Sequence, residues 1–109
     1  MTAPRYQPLI DLLNECSVAC NHCSVACLDE SNTSLLVDCI KTDMDCAIIC
    51  SSAAILLARE SDHGVHLLKE CIEICNVCAG ECEKHLHHDH CKKCAEVCRR
   101  CAEACTAVL

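Results

Sequence analysis

Cysteine and aliphatic positions recur along this chain at steps of three and four, with mostly polar or charged residues between them. Cys16, Cys20, Cys23 and Cys27 follow a 4-3-4 spacing, and Cys71, Cys75, Cys78 and Cys82 repeat it. Cys39, Cys46 and Cys50 are spaced 7-4, while Cys91, Cys94, Cys98, Cys101 and Cys105 are spaced 3-4-3-4. Such steps keep successive side chains on one face of a helix, whereas a strand needs steps of two. The pattern predicts four helices, each carrying one stripe of sulfur.

Breaks in the pattern delimit them. Pro8 suits a first helical turn, so helix 1 is expected from about Gln7 to Asp29. Ser31, Asn32 and Thr33 form a polar break, with Thr33 or Ser34 as the expected N-cap of helix 2, which runs to about Glu60. Ser61-Asp62-His63-Gly64 separates helix 3, ending near Lys84. The segment His85, His87, His88, Asp89, His90 precedes helix 4, which ends near Thr106. Short loops between long helices imply one domain over 1–109, an all-α, up-down-up-down antiparallel four-helix bundle with a Cys-lined core.

Extending each register beyond its cysteines gives the bundle two unlike ends. Leu9, Leu13, Leu57, Leu68 and Val108 gather at one end and plug it. Glu30, Leu36, His85 and His87 gather at the other. Between them helix 2 reads Cys39, Asp43, Cys46, Cys50, so the expected form is a sulfur-lined tube with a histidine mouth.

Composition narrows what the tube does. Of 109 residues, 16 are Cys, Tyr6 is the only aromatic, and there are two Gly and two Pro. Without the cysteines 41 residues are hydrophobic, too few for an aliphatic core of ordinary density. The net charge of −7 argues against nucleic-acid binding. No apolar run is long enough for a membrane span. The start, MTAPRYQPL, lacks the apolar segment and cleavage site of a signal peptide, so a cytoplasmic protein is expected.

In a reducing compartment thiols stay free or bind metal. Packing alone would favour Leu or Ile, each worth roughly 1.5–3 kcal/mol when fully buried. Disulfides within a helix would strain the backbone. Iron–sulfur sites usually take cysteines from loops, often beside Pro, and no Cys here has one. Zinc wants isolated tetrahedra of four ligands, into which continuous stripes do not readily divide. Cu(I), soft and monovalent, accepts two or three thiolates. Seven C-x-x-x-C pairs suit it: Cys16/Cys20, Cys23/Cys27, Cys46/Cys50, Cys71/Cys75, Cys78/Cys82, Cys94/Cys98 and Cys101/Cys105. One ion per thiolate also neutralises a lumen in which bare charge is costly. Multiple Cu(I) ions per chain fit best, with zinc–thiolate storage or a low-capacity copper chaperone as alternatives.

The two C-x-x-x-C-x-x-C-x-x-x-C runs, the C-x6-C-x3-C of helix 2 and the His-rich segment before Cys91 resemble the bacterial copper storage proteins. The resemblance spans about Glu15 to Cys105. It implies a four-helix bundle holding many Cu(I) ions on inward cysteines, assembly as a homotetramer, and copper entry at the His-bearing end.

The expected ligands are therefore the sixteen cysteines, with Asp43 as a ligand or near-ligand and His85 and His87 at the entry. His88 and His90 are expected as transient ligands, and Met44, off the inward line, as a packing residue. His22 is expected on the surface, and His63 and His66 at the plugged end without a copper role. Ile40, Ile48, Ile49, Ile55 and Leu56 lie off the inward line of helix 2 and point to a homo-oligomer. No catalytic constellation is present: a redox site normally uses one C-x-x-C at a helix start. A DNA-binding metal sensor would need few ligands and a basic face.

Overall fold

Four long helices form where the sulfur stripes run, in a computed structural model that describes residues 5–109. Residues 1–4, the beginning of the segment read as leader-free, lie outside the described residues. The helices are α1 (Gln7–Leu28), α2 (Val37–Ala58), α3 (His63–Cys82) and α4 (Asp89–Val108). Each packs against its neighbours in sequence, and α4 closes back onto α1, giving an elongated bundle of 48 × 23 × 17 Å. No helix among the described residues is long and apolar enough to cross a membrane.

The connections carry the detail that places the mouth. Pro8 occupies the first turn of α1 as expected. At the other end of α1 the Thr33 hydroxyl donates to the carbonyl of Glu30 at 2.6 Å and to that of Leu28 at 3.4 Å. Thr33 thus closes α1 instead of capping α2, which corrects the expected N-cap. Thr33–Leu35 form a 3-10 turn, and Leu36, fully buried, leads into α2 without a side-chain cap.

Helix α2 ends in a Schellman closure, with Glu60 N–H donating to Leu57 O at 3.0 Å and Ser61 N–H to Leu56 O at 3.0 Å. Glu60 has φ 53°, a conformation usually filled by Gly. Helix α3 then begins at His63, one residue before the glycine expected to end the break. Gly64 is needed for close approach: a Cβ there would lie 2.9 Å from Leu57 Cδ2. A second 3-10 turn, Glu83–His85, links α3 to the histidine segment.

The aliphatic plug is as the registers implied. Leu9, Leu13, Leu57 and Leu68 are buried at one end, joined by Ile10, and Val108 packs half-buried against the core. Small residues let α1 and α2 pack closely, and the buried Ser17 hydroxyl donates to Ala47 O at 2.9 Å across that seam. Of the apolar residues off the inward line of α2, Ile40, Ile49 and Leu56 are half-buried, whereas Ile48 and Ile55 are exposed. Met44 is exposed as well.

Candidate metal centre

All sixteen cysteines are free thiols and all are buried, so the four stripes do converge on one lumen. Sulfur contacts run from helix to helix: Cys16 Sγ lies 3.7 Å from Cys98 Sγ, Cys20 3.6 Å from Cys98, and Cys50 3.5 Å from Cys75. Along single helices, Cys46 and Cys50 are 3.8 Å apart and Cys94 and Cys98 are 3.9 Å apart. Sets of four donor atoms lie within 4.8 Å of one another, among them Cys16/Cys46/Cys50/Cys75, Cys16/Cys20/Cys46/Cys98 and Cys20/Cys78/Cys94/Cys98. These sets overlap. Cys16 and Cys46 belong to the first two, and Cys20 and Cys98 to the last two.

Asp43 sits inside the sulfur column. Its Oδ1 accepts from Cys78 Sγ at 3.0 Å and from Cys94 Sγ at 3.3 Å, and lies 3.7 Å from Cys82 Sγ. Its Oδ2 is 3.9 Å from Cys39 Sγ. Burial first, then the neighbouring sulfurs of Cys94 and Cys78, push the carboxyl far above the usual carboxylate range. A metal-free lumen therefore favours the protonated form of this acid. Cys23, Cys39, Asp43 and Cys82 also form one of the four-donor sets.

The mouth lies where α1 ends and α4 begins. Burial pushes the Cys27 thiol up to about 11, and it raises Cys91 too. His90 Nδ1 is 3.5 Å from Cys23 Sγ, 3.5 Å from Cys91 Sγ and 3.8 Å from Cys27 Sγ, completing a set of three sulfurs and one imidazole. On its far side His90 Nε2 is 3.2 Å from Glu30 Oε1. Burial pulls the His90 pKa down, but hydrogen bonds to Cys23 and Glu30 outweigh it and the net shift is upward.

The other rings extend outward from His90. His88 stacks on it at 5.3 Å, His87 is 4.2 Å from His88, and His85 is 6.4 Å from His87. His85 is half-buried and His87 exposed, so both stand at the rim, and the ring that reaches sulfur is His90. His63 and His66 are exposed at the plugged end, and His22 is exposed on α1. The helix register places Glu30 at the rim, but it lies sixty positions from His90 and carries no local signal of that contact.

Comparison with known proteins points in one direction. A family model described as copper storage protein matches residues 2–109. The cysteine-rich protein YhjQ of Bacillus subtilis (strain 168) is 40% identical over 87 residues, covering 80% of each chain. The copper storage protein Ccsp of Streptomyces lividans, loaded with 10 copper equivalents, superposes with a TM-score of 0.90 at 38% identity, over 94% of this chain and 81% of that one. A cytosolic copper storage protein from the same organism, with five coppers, gives 0.89 at 39% identity over 93% and 88%. Cu(I)-bound copper storage protein BsCsp3 gives 0.88 at 40% identity over 93% and 94%.

Proposed function

The chain belongs to the copper storage protein family, and from that premise we propose that it holds many Cu(I) ions in its lumen as a cytosolic store. The observation that carries this is the overlap of the sulfur sets. Because Cys16, Cys20, Cys46 and Cys98 each serve two sets, thiolates can be shared between neighbouring ions. An ion held by two or three sulfurs then always has the next sulfur within reach, which allows filling inward from the mouth.

Charge favours a monovalent cargo. Each Cu(I) compensates one thiolate, so a filled lumen stays near neutrality. Four thiolates around a divalent zinc leave two negative charges per site, which a dry interior tolerates poorly. Loading ionises thiols and so releases protons to solvent. The sixteen cysteines are the proposed ligands, with Asp43 joining the sets around Cys39 and Cys82. His85 and His87 receive the ion at the rim and pass it along the ring row to His90 and then to Cys23, Cys27 and Cys91. The leucine plug closes the far end, making filling directional.

Storage, and not catalysis, accounts for so many equivalent ligands. We also propose a homo-oligomer, a tetramer on the family resemblance. It is supported by the exposed Val18 and Val25 of α1 and Ile48 and Ile55 of α2, each pair in heptad spacing.

Parallel titrations of the reduced, anaerobic protein with Cu(I) and Zn(II) test the reading. The expectation is that Cu(I) displaces bound Zn(II) and continues to bind, with protons released throughout. Retention of zinc against Cu(I), or a Cu(I) endpoint at one or two ions, would overturn it in favour of zinc storage or a chaperone.

A further inference from the structure

We infer that Glu30 is the positioning residue of the mouth, turning His90 so that its Nδ1 faces the three outermost thiols. The inference deepens the storage reading above and rests on it. An imidazole has two unlike nitrogens, and which one can bind metal depends on what the other hydrogen-bonds. Here Nε2 is 3.2 Å from Glu30 Oε1, a carboxylate oxygen that can only accept. With the N–H of Nε2 donated to Glu30, the lone pair is on Nδ1, 3.5 Å from both Cys23 and Cys91. A carboxylate behind a histidine in this way fixes ring orientation and raises ligand basicity.

The second oxygen acts on the next ring. Glu30 Oε2 lies 3.5 Å from His88 Nδ1, and His88 stacks on His90 with 13° between the planes. His88 Nε2 is buried and has no hydrogen-bond partner. One carboxylate therefore faces Nε2 of His90 and Nδ1 of His88, leaving Nδ1 of His90 to the thiols and Nε2 of His88 without a hydrogen-bond partner.

Glu30 is itself held in place. Its N–H donates to Cys27 O at 3.2 Å, and its carbonyl accepts the Thr33 hydroxyl at 2.6 Å. Its carboxylate stands by the first turn of α4, where the helix dipole favours negative charge. These contacts explain why Thr33 closes α1: that closure fixes the backbone from which Glu30 reaches across the mouth.

The test compares wild type, Glu30→Ala and Glu30→Gln. Nitrogen-15 NMR of the metal-free, reduced protein reads which His90 nitrogen carries the proton, and stopped-flow transfer from a chelated Cu(I) donor reads early uptake. Expected is a proton on Nε2 of His90 in wild type. Glu30→Ala mixes the two ring forms and slows early uptake about ten-fold, the lower end of the effect of losing such a partner. Glu30→Gln, whose amide oxygen still accepts from Nε2–H, recovers most of both. A neutral wild-type ring with its proton on Nδ1, or an alanine variant with wild-type spectrum and rate, overturns the assignment. The NMR reading uses no copper. A failure of storage would instead appear as a wild-type endpoint of one or two ions.

Discussion

Asp43, buried against Cys78 and Cys94, makes the metal-free protein sensitive to pH in a definite direction. Unfolded, its carboxyl ionises at about pH 4. Folded, it keeps its proton to much higher pH because burial and the nearby sulfurs disfavour the charge. Between those limits the unfolded chain has lost a proton that the folded chain retains. The contribution to stability is therefore full below about pH 4 and declines as pH rises. Denaturation midpoints of the apo protein should fall between about pH 5 and about pH 8, and Asp43→Asn should flatten the decline. A midpoint that climbs over that interval would contradict the buried, protonated state. At the rim, replacing His85 and His87 together by Ala should slow Cu(I) uptake several-fold with a less than proportional loss of capacity. Loss of capacity in step with rate would place these residues among the storage ligands. The sequence offers His90 only as a transient ligand beside His88, behind His85 and His87, whereas His90 is the ring that lies on sulfur. The α register of α3 was extended past Cys82, but Glu83–His85 wind as a 3-10 turn with fewer residues per turn, so the extrapolated phase drifts.

Among the elements, the helices were legible because cysteine spacing at three and four leaves no other regular structure, and the stripes needed no knowledge of their neighbours. Boundaries were less so, for reasons local to each. Thr33 has the chemistry of an N-cap, yet its hydroxyl has carbonyl partners in the last residue of the preceding helix and in the turn just beyond it. Gly64 looked like a terminator, yet it lies inside α3, where its missing Cβ makes room for Leu57. The αL residue that does end α2 is Glu60, which no glycine rule would find. An L side chain there costs roughly 1–2 kcal/mol. Glu60→Gly should therefore stabilise the apo protein by about 1 kcal/mol in chemical denaturation, after the added freedom of the unfolded chain is counted. A destabilised variant would show that the Glu60 side chain contributes more than its backbone strain costs.

For the whole molecule, the plug and the mouth give the bundle a direction, and its outer faces expose apolar side chains. Ile48 is 67% exposed and Val18 is 68% exposed, burial that a second copy would complete. Ile48→Asp should convert the proposed homo-oligomer to monomers in light-scattering chromatography while leaving the helical spectrum intact. A wild-type protein already monomeric at micromolar concentration would remove the oligomer from the account. Sixteen buried thiols form one preformed lumen, so that filling it should require little change in the helices. Anaerobic Cu(I) titration followed by circular dichroism tests this most directly. Binding should continue well beyond two ions per chain, with helicity constant from the apo to the loaded form. Saturation at one or two ions, or helicity that grows with each addition, would contradict it.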